Sequence, residues 1–203
     1  MEKSIEQYAT SVTPQNGTAL MPSRPRSLDD ACGEYFTYRD LVECGETWAR
    51  LASPGDAGFD NLPRAAETFS ALGVLCSTVL DPAVRQFGRV VLTYGFASER
   101  LTKHIQARIA PGIDQHASHE VNRAGKLICA RLGAAVDLLV PGISSLEVAR
   151  WLATKTAFDR LYLYDADRPI HVSVGPSNTR QVVHMRKGPS GRRVPRIVDP
   201  GSL

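Results

Sequence analysis

The sequence predicts one α+β domain in which N-terminal helices pack on a small, largely antiparallel sheet. Helical apolar periodicity dominates the first half, whereas short β runs gather late and lie too close together for helical crossovers. With 203 residues, 43% of them hydrophobic, the chain suits one core plus tails. We expect a flexible arm over residues 1–30, a single domain over 31–186 and a basic tail over 187–203.

The helices are predicted from their end signals and apolar spacing. Thr37 can cap the first helix, and Asp81-Pro82 interrupts the second, which opens near Asn61 and Pro63. Gly133 ends the fourth, and Ser144 with Glu147 can form a capping box on the last. The predicted helices span residues 37–51, 61–80, 98–109, 117–132 and 144–156.

The strands are predicted from short runs of β-branched, aromatic and other apolar residues bounded by turn signals. These runs cover residues 89–94, 134–140, 159–164, 170–175 and 180–186. The last three follow one another with no room for a helix between them. An antiparallel arrangement therefore fits this end of the chain.

Composition narrows the location and the redox state. No apolar run approaches the roughly 18 residues that span a membrane, and the first residues lack the pattern of a secretory signal. We therefore expect a cytoplasmic protein. The four cysteines form no C-x-x-C pair and lie mostly in apolar helical patterns, which predicts reduced core thiols.

One carboxylate, Asp137, lies inside an apolar run that reads as a buried strand. An ionised carboxylate in that environment costs several kcal/mol or more unless it is paired, hydrogen-bonded or bound to a metal. The candidate partners lie in two segments, residues 114–120 upstream and 169–173 downstream.

Histidine and aspartate are ligands of catalytic zinc, which takes three protein ligands and keeps one open position. Asp137, His171 and one histidine of the 114–120 segment would make that set. Side chains two residues apart on a strand share a face, so His171 and Ser173 lie together on theirs. Two neighbouring strands can thus direct ligands to one place.

The residues Gly133, Ala135 and Asp137, followed by His171 and Ser173, resemble the zinc D-Ala-D-Ala carboxypeptidase family over roughly residues 36–175. Its fold is shared by peptidoglycan endopeptidases and the Hedgehog signalling domain, and its signature is S-x-H-x-x-G-x-A-x-D with a distant H-x-S. The resemblance implies the Hedgehog/DD-peptidase fold, zinc bound by Asp137, His171 and a further histidine, and hydrolysis of an amide bond in a peptidoglycan-type peptide.

The chain departs from the family at three positions. The first ligand should be at Ala130, so we infer an inserted helix that leaves His116 as that ligand, with His119 as the close rival and Cys129 a distant third. The family's general base falls at Tyr164 or Asp165. We therefore expect Asp165 to act as the base, with Asp167 and Glu120 as substitutes.

The family arginine should follow the Gly95-Phe96 pair, where this chain has alanine. Arg100 is the nearest replacement, as a clamp for a terminal carboxylate or a stabiliser of the oxyanion. By the resemblance, Ser173 would contact substrate. A chain without a signal could still reach the cell wall as a phage-type lysin.

A second hypothesis comes from the C-terminal stretch, in which no acidic residue occurs between Arg168 and Val198. Its positive charge would attract an anionic partner such as nucleic acid. The altered catalytic positions would then leave a DD-peptidase-like binding or interaction module. The cations of this stretch are Arg168, Arg180, Arg186, Lys187, Arg192, Arg193 and Arg196.

Overall fold

A computed structural model describes residues 24–52, 59–105 and 111–203. The predicted arm therefore lies mostly outside the described residues. The α-helices are α1 Tyr38–Val42, α2 Glu46–Leu51, α3 Ala66–Leu75, α4 Asp81–Phe87, α5 Glu99–Thr102 and α6 Ser145–Lys155. The strands are β1 Val91–Tyr94, β2 Ala134–Leu139, β3 Arg160–Leu163, β4 Ile170–Val174, β5 Gln181–Lys187 and β6 Arg193–Val198.

The six strands form one sheet in the order β1-β2-β4-β3-β5-β6. Every neighbouring pair is antiparallel except β3 and β5, which run parallel. The prediction of helices with a largely antiparallel sheet is confirmed at this level. Strand β6 lies within the segment that the sequence assigned to a basic tail, and it forms an edge of the sheet.

One face of the sheet is buried against helices. Val136, Val172, Leu161 and Val182 occupy one transverse row of paired positions, and each is fully buried. Helices α3 and α6 contact this part of the sheet. Because side chains alternate along a strand, the next residue in each strand points to the opposite face. That opposite face carries the candidate site.

The helices of the first half differ from the prediction at their boundaries. Thr37 caps α1 in a capping box, but the chain turns at Gly45, whose φ is +91°, so two short helices replace one. Beyond α3 the chain continues through a π-helical turn, Cys76–Leu80, into α4. Asp81-Pro82 therefore does not end the helical segment, since the wide turn accommodates a residue without an N–H.

The prediction of a helix over residues 117–132 is wrong. A 3₁₀ turn, Gln115–Ala117, ends at Ser118, whose φ is +50°. The Asn122 carboxamide then accepts hydrogen bonds from the backbone N–H of Ala124 and Lys126. Such local bonds compete with helical ones, because they satisfy the same backbone donors.

Two other predicted helices differ from the structure, one in its end and one in its cap. Helix α5 ends at Thr102, and residues 106–109 of the predicted 98–109 helix lie outside the described residues. Ser144 caps α6 by accepting from the N–H of Leu146, and no capping box with Glu147 forms. Among the described helices, none has the length and apolar character needed to cross a membrane.

Candidate metal centre

Sheet pairing brings the two strand-borne residues together. Asp137 on β2 lies directly opposite His171 on β4 in the antiparallel register. Directly opposed residues point to the same face, so both side chains leave the sheet on the side away from the helices. Nδ1 of His171 lies 2.9 Å from Oδ1 of Asp137.

The third residue, His116, comes from the 3₁₀ turn between α5 and β2. The carboxylate of Asp114 accepts a hydrogen bond from the His116 N–H at 3.1 Å, and the His116 carbonyl accepts one from Ala97 at 2.9 Å. The ring Nδ1 lies 2.8 Å from the carbonyl oxygen of Gly95. A carbonyl can only accept, so Nδ1 carries the proton and Nε2 is left for a ligand.

Nε2 of His116, Oδ1 of Asp137 and Nδ1 of His171 form a nearly equilateral triangle. Their separations are 3.1 Å between the histidines, 2.9 Å from Asp137 to His171 and 3.3 Å from Asp137 to His116. Ligand atoms at about 2.0–2.1 Å from one tetrahedral zinc ion would be about 3.3 Å apart. The donor set and its spacing therefore fit a single metal ion.

The three side chains also perturb one another electrostatically. Burial alone would raise the pKa of Asp137, but the positive charge of His116 and hydrogen bonds from both histidines hold it well below its usual range. Burial likewise opposes the charging of His116, and the Asp137 carboxylate outweighs it, so the pKa of His116 is raised. The carboxylate thus stays ionised, as a metal ligand must.

Gln115 fastens the turn that carries His116. Its buried carboxamide donates to the carbonyl of Leu132 at 3.0 Å and to the carboxylate of Asp159 at 3.1 Å. The hydroxyl of Ser173 donates to its oxygen at 2.8 Å. Ser173 was predicted to contact substrate, but it is fully buried and does not line the cleft. The structure instead gives Ser173 a supporting place beneath His116.

His119, the rival ligand, does not reach the metal centre. Its Nε2 accepts a hydrogen bond from the N–H of Gly133 at 3.2 Å, and its ring lines a different, largely apolar cavity. Cys129, the distant third candidate, is fully buried and lies outside the cluster. Of the alternatives that the sequence left open, the structure brings His116 to Asp137 and His171.

The predicted general base, Asp165, is also placed elsewhere. Its carboxylate pairs with Arg193 and lies 3.8 Å from the Lys187 ammonium group, and the hydrogen bond from Arg193 lowers its pKa. The substitute Glu120 is buried and accepts bonds from the backbone of Arg64 and Ala65 at the start of α3. Asp165, Glu120 and the other substitute, Asp167, all lie outside the lining of the cleft.

Arg100, the predicted oxyanion group, lies away from the cleft with its guanidinium group 4.8 Å from the ring centre of Phe59. Among the described lining residues, the cation is Arg131. Its guanidinium group donates to the carbonyl of Ile113 and to the hydroxyl of Tyr162, both at 3.3 Å. The sequence-based prediction missed Arg131. Its position two residues before Gly133, the first residue of the G-x-A-x-D motif, was the signal that could have identified it.

A cleft of about 190 Å³ opens above the cluster. Besides the three candidate ligands it is lined by Tyr94, Ile105, Ile113, Asp114, Arg131, Tyr162 and Tyr164. The sequence-based prediction gave no role to Tyr94 or Tyr162 and named Tyr164 as one of two positions for the family's general base. Tyr162 and Tyr164 lie two residues apart on or next to β3, so strand alternation was the signal that they share a face.

The cleft has groups that can hold, orient and donate protons to a ligand. Burial raises the pKa of Tyr164 to about 12, so its hydroxyl stays a donor at neutral pH. The ring of Tyr94 lies 4.2 Å from that of His116, centre to centre. Asp114 is the carboxylate of the described lining residues that does not belong to the cluster. The arrangement combines three residues that could hold a metal ion with one further acid, one cation and phenolic donors.

Comparison with known proteins identifies no relative of this chain. No family model, no curated protein and no solved structure matches the chain.

Proposed function

We propose that this protein is a zinc-dependent hydrolase that cleaves an amide bond, with His116, Asp137 and His171 as the metal ligands. The observation that carries the proposal is the triangle of their three ligand atoms on the open face of the sheet. Two nitrogen ligands and one carboxylate leave a position for water, the composition of many catalytic zinc sites.

Zinc held there would polarise a substrate carbonyl and lower the pKa of a bound water to about 7. The surrounding residues would supply the rest. Asp114 is placed to accept a proton, Arg131 to bind a carboxylate or a developing oxyanion, and Tyr164 to donate a hydrogen bond. These three replace Asp165 and Arg100 of the sequence-based hypothesis.

We further propose that the fold is of the Hedgehog/DD-peptidase type and that the substrate is a peptidoglycan-type peptide. Support comes from the pairing of β2 with β4, because the G-x-A-x-D and H-x-S motifs lie on these two antiparallel neighbours. Asp137 and His171 meet there, as the resemblance implies. A cytoplasmic location, delivery as a phage-type lysin and an anionic partner of the basic stretch stay predictions.

Metal binding provides the first test. Purified protein should bind one equivalent of zinc in calorimetry, and His171→Ala and Asp137→Ala should each abolish this binding. His184→Ala is the matched control, since His184 also lies on a strand of the sheet but outside the cluster. Absence of zinc binding by the wild type, or full binding by both cluster variants, would refute the metal site.

Hydrolysis provides the second test. Zinc-loaded protein should release D-alanine from peptides that end in D-Ala-D-Ala, and Asp114→Asn should lower kcat by about 100-fold or more while zinc stays bound. The asparagine keeps an oxygen to accept the His116 N–H, so the turn is retained. Zinc binding without release of D-alanine would leave a metal site and remove the peptidase activity.

A further inference from the structure

Two of the three candidate ligands, Asp137 and His171, belong to a row of side chains that crosses the whole sheet. Cα pairing links one residue of each strand to the next, from β1 through β2, β4, β3 and β5 to β6. Paired neighbours point to the same face, so this row leads from the cleft to the edge of the sheet. Its members are Tyr94, Asp137, His171, Tyr162, Val183 and Ile197.

The far end of this face is open. Ile197 is 67% exposed, the highest value among the exposed large apolar residues that the structure describes, while Val183 beside it is buried. Met185 pairs with Pro195 two residues further along the same face. The Arg193 guanidinium group lies 5.3 Å from the ring centre of Tyr164, which lines the cleft. Tyr164 and Arg193 therefore join the cleft to the face of β6 that carries Ile197.

The cleft is too small to enclose a whole ligand of ordinary size. Its volume of about 190 Å³ is below the roughly 300–1,000 Å³ of pockets that bury a complete small molecule. A peptide that places one amide bond above the metal ligands must extend beyond the cleft. Tyr164 and the guanidinium group of Arg193 lead from the cleft to β6, where Pro195 and Ile197 share the face of Arg193.

Charge indicates what kind of peptide would follow this path. The stretch that forms β5, the turn and β6 contains five cations and no acidic residue. Lys187 and Arg193 share the face of Ile197, where Asp165 balances part of their charge, whereas Arg186 and Arg196 lie at positions that face the other side of the sheet. Acidic side chains near an exposed apolar contact would be attracted to such a surface. The five cations are Arg186, Lys187, Arg192, Arg193 and Arg196.

We propose that Tyr164, Met185, Arg193, Pro195 and Ile197, here called the β6 shelf, bind the part of an extended acidic peptide substrate that lies outside the cleft. This inference rests on the proposed function in that the cleft holds the bond to be cleaved. It adds a substrate class: a peptide longer than the cleft, with acidic and apolar side chains on the portion that reaches β6. Ile197 is the specificity-determining residue of that portion.

The test uses a mixture of ten-residue peptides of random sequence and the full chain with one equivalent of zinc. Peptides retained by immobilised protein are identified by mass spectrometry, which also detects cleaved products. Ile197→Ser removes the exposed side chain of the shelf. Val194→Ser is the matched control, because Val194 lies on the same strand, is 55% exposed and points to the opposite face.

We expect retained peptides to be enriched in acidic and apolar residues and their retention to weaken with salt. Ile197→Ser should reduce retention about tenfold, whereas Val194→Ser should leave it within about twofold. Equal retention by the two variants, or no retained peptide, would overturn the shelf. Displacement of the peptides by an equal concentration of a single-stranded oligonucleotide would also overturn it, in favour of nucleic acid.

Binding and cleavage are read separately, which distinguishes the two proposals. Peptides that are retained through Ile197 but never cleaved would preserve the shelf and refute the hydrolase. Cleavage that is indifferent to Ile197→Ser would preserve the hydrolase and refute the shelf.

Discussion

Two histidines only three residues apart line different cavities. His116 enters the polar cleft beside Asp137 and His171, whereas His119 lines a largely apolar cavity of about 590 Å³ with Phe158 and Val174. Leu132 and Gly133 line the second cavity as well, and the Gly133 N–H donates to His119. Burial lowers the pKa of His119, while the Asp137 carboxylate raises that of His116.

The difference arises from the backbone at Ser118. Its φ of +50° redirects the chain after the 3₁₀ turn, and its hydroxyl donates to the carbonyl of Gly133. His119 then accepts from the Gly133 N–H. The two histidines are close in sequence but lie in different environments, because the hydrogen bonds of Ser118 and His119 with Gly133 direct His119 away from the metal centre.

A substitution at Gly133, which contacts both Ser118 and His119, should have the largest effect on stability. In Gly133→Ala, a Cβ would lie 1.9 Å from the carbonyl oxygen of Val174, at a φ of +82°. We expect a loss of at least about 3 kcal/mol in the free energy of unfolding, measured by denaturant titration.

Gly142→Ala is the control for backbone strain alone. Its φ is +80°, close to that of Gly133, but an added Cβ would meet nothing within 4 Å. It should cost about 1 kcal/mol. Equal losses in the two alanine variants would show that the close packing against Val174 does not matter.

The two histidines themselves should differ in zinc affinity. His116→Ala removes one of three candidate ligands, so we expect more than the roughly 100-fold loss that outer contacts can cause. His119→Ala should change the zinc affinity less than about threefold, as measured by calorimetry. A larger loss from His119→Ala than from His116→Ala would reverse the assignment of the two sites.

The support beneath His116 should contribute less than the ligand. Gln115→Ala removes the hydrogen bonds that its buried carboxamide makes with the Ser173 hydroxyl and the Leu132 carbonyl. We expect a loss of about 1–3 kcal/mol in unfolding free energy and zinc binding weakened by about 10- to 100-fold. Unchanged affinity in the folded variant would mean that Gln115 does not position His116.

The smallest effect should be a change in acid sensitivity at Asp159. Burial would raise its pKa, but hydrogen bonds from Thr179 and Gln115 outweigh this and hold it below 3.8, its ordinary value. Its ionised form therefore stabilises the fold above that pH, and the contribution is lost as the pH falls through the lowered pKa.

In Asp159→Asn, the deficit in unfolding free energy should be greatest near pH 6 and should shrink as the pH falls below about 4. Denaturant titrations at several pH values measure this. Asp167→Asn is the control, since Asp167 is exposed and should show a small deficit at every pH. A deficit for Asp159→Asn that does not depend on pH would exclude the carboxylate charge as its cause.

Predictions that depend on strand periodicity were the successful ones. The strand containing Asp137 and the strand containing His171 were both expected, and β2 and β4 lie within one residue of the predicted bounds. Alternation is a local property of the backbone, so it shows which residues share a face. The predicted helix over 117–132 failed because turn-forming contacts of Asn122 override helical propensity.

Apolar periodicity and end signals were sufficient to predict an α+β domain and to mark Asp137 and His171 as members of one candidate site. The fold then brought the preferred His116, rather than its rival His119, to these two residues, paired Asp165 with Arg193 and placed Arg131 in the cleft. The two kinds of information differ in the separation along the chain over which they act. Periodicity and capping operate over a few residues, whereas ion pairs and buried hydrogen bonds join segments whose distance along the chain carries no signal of their contact.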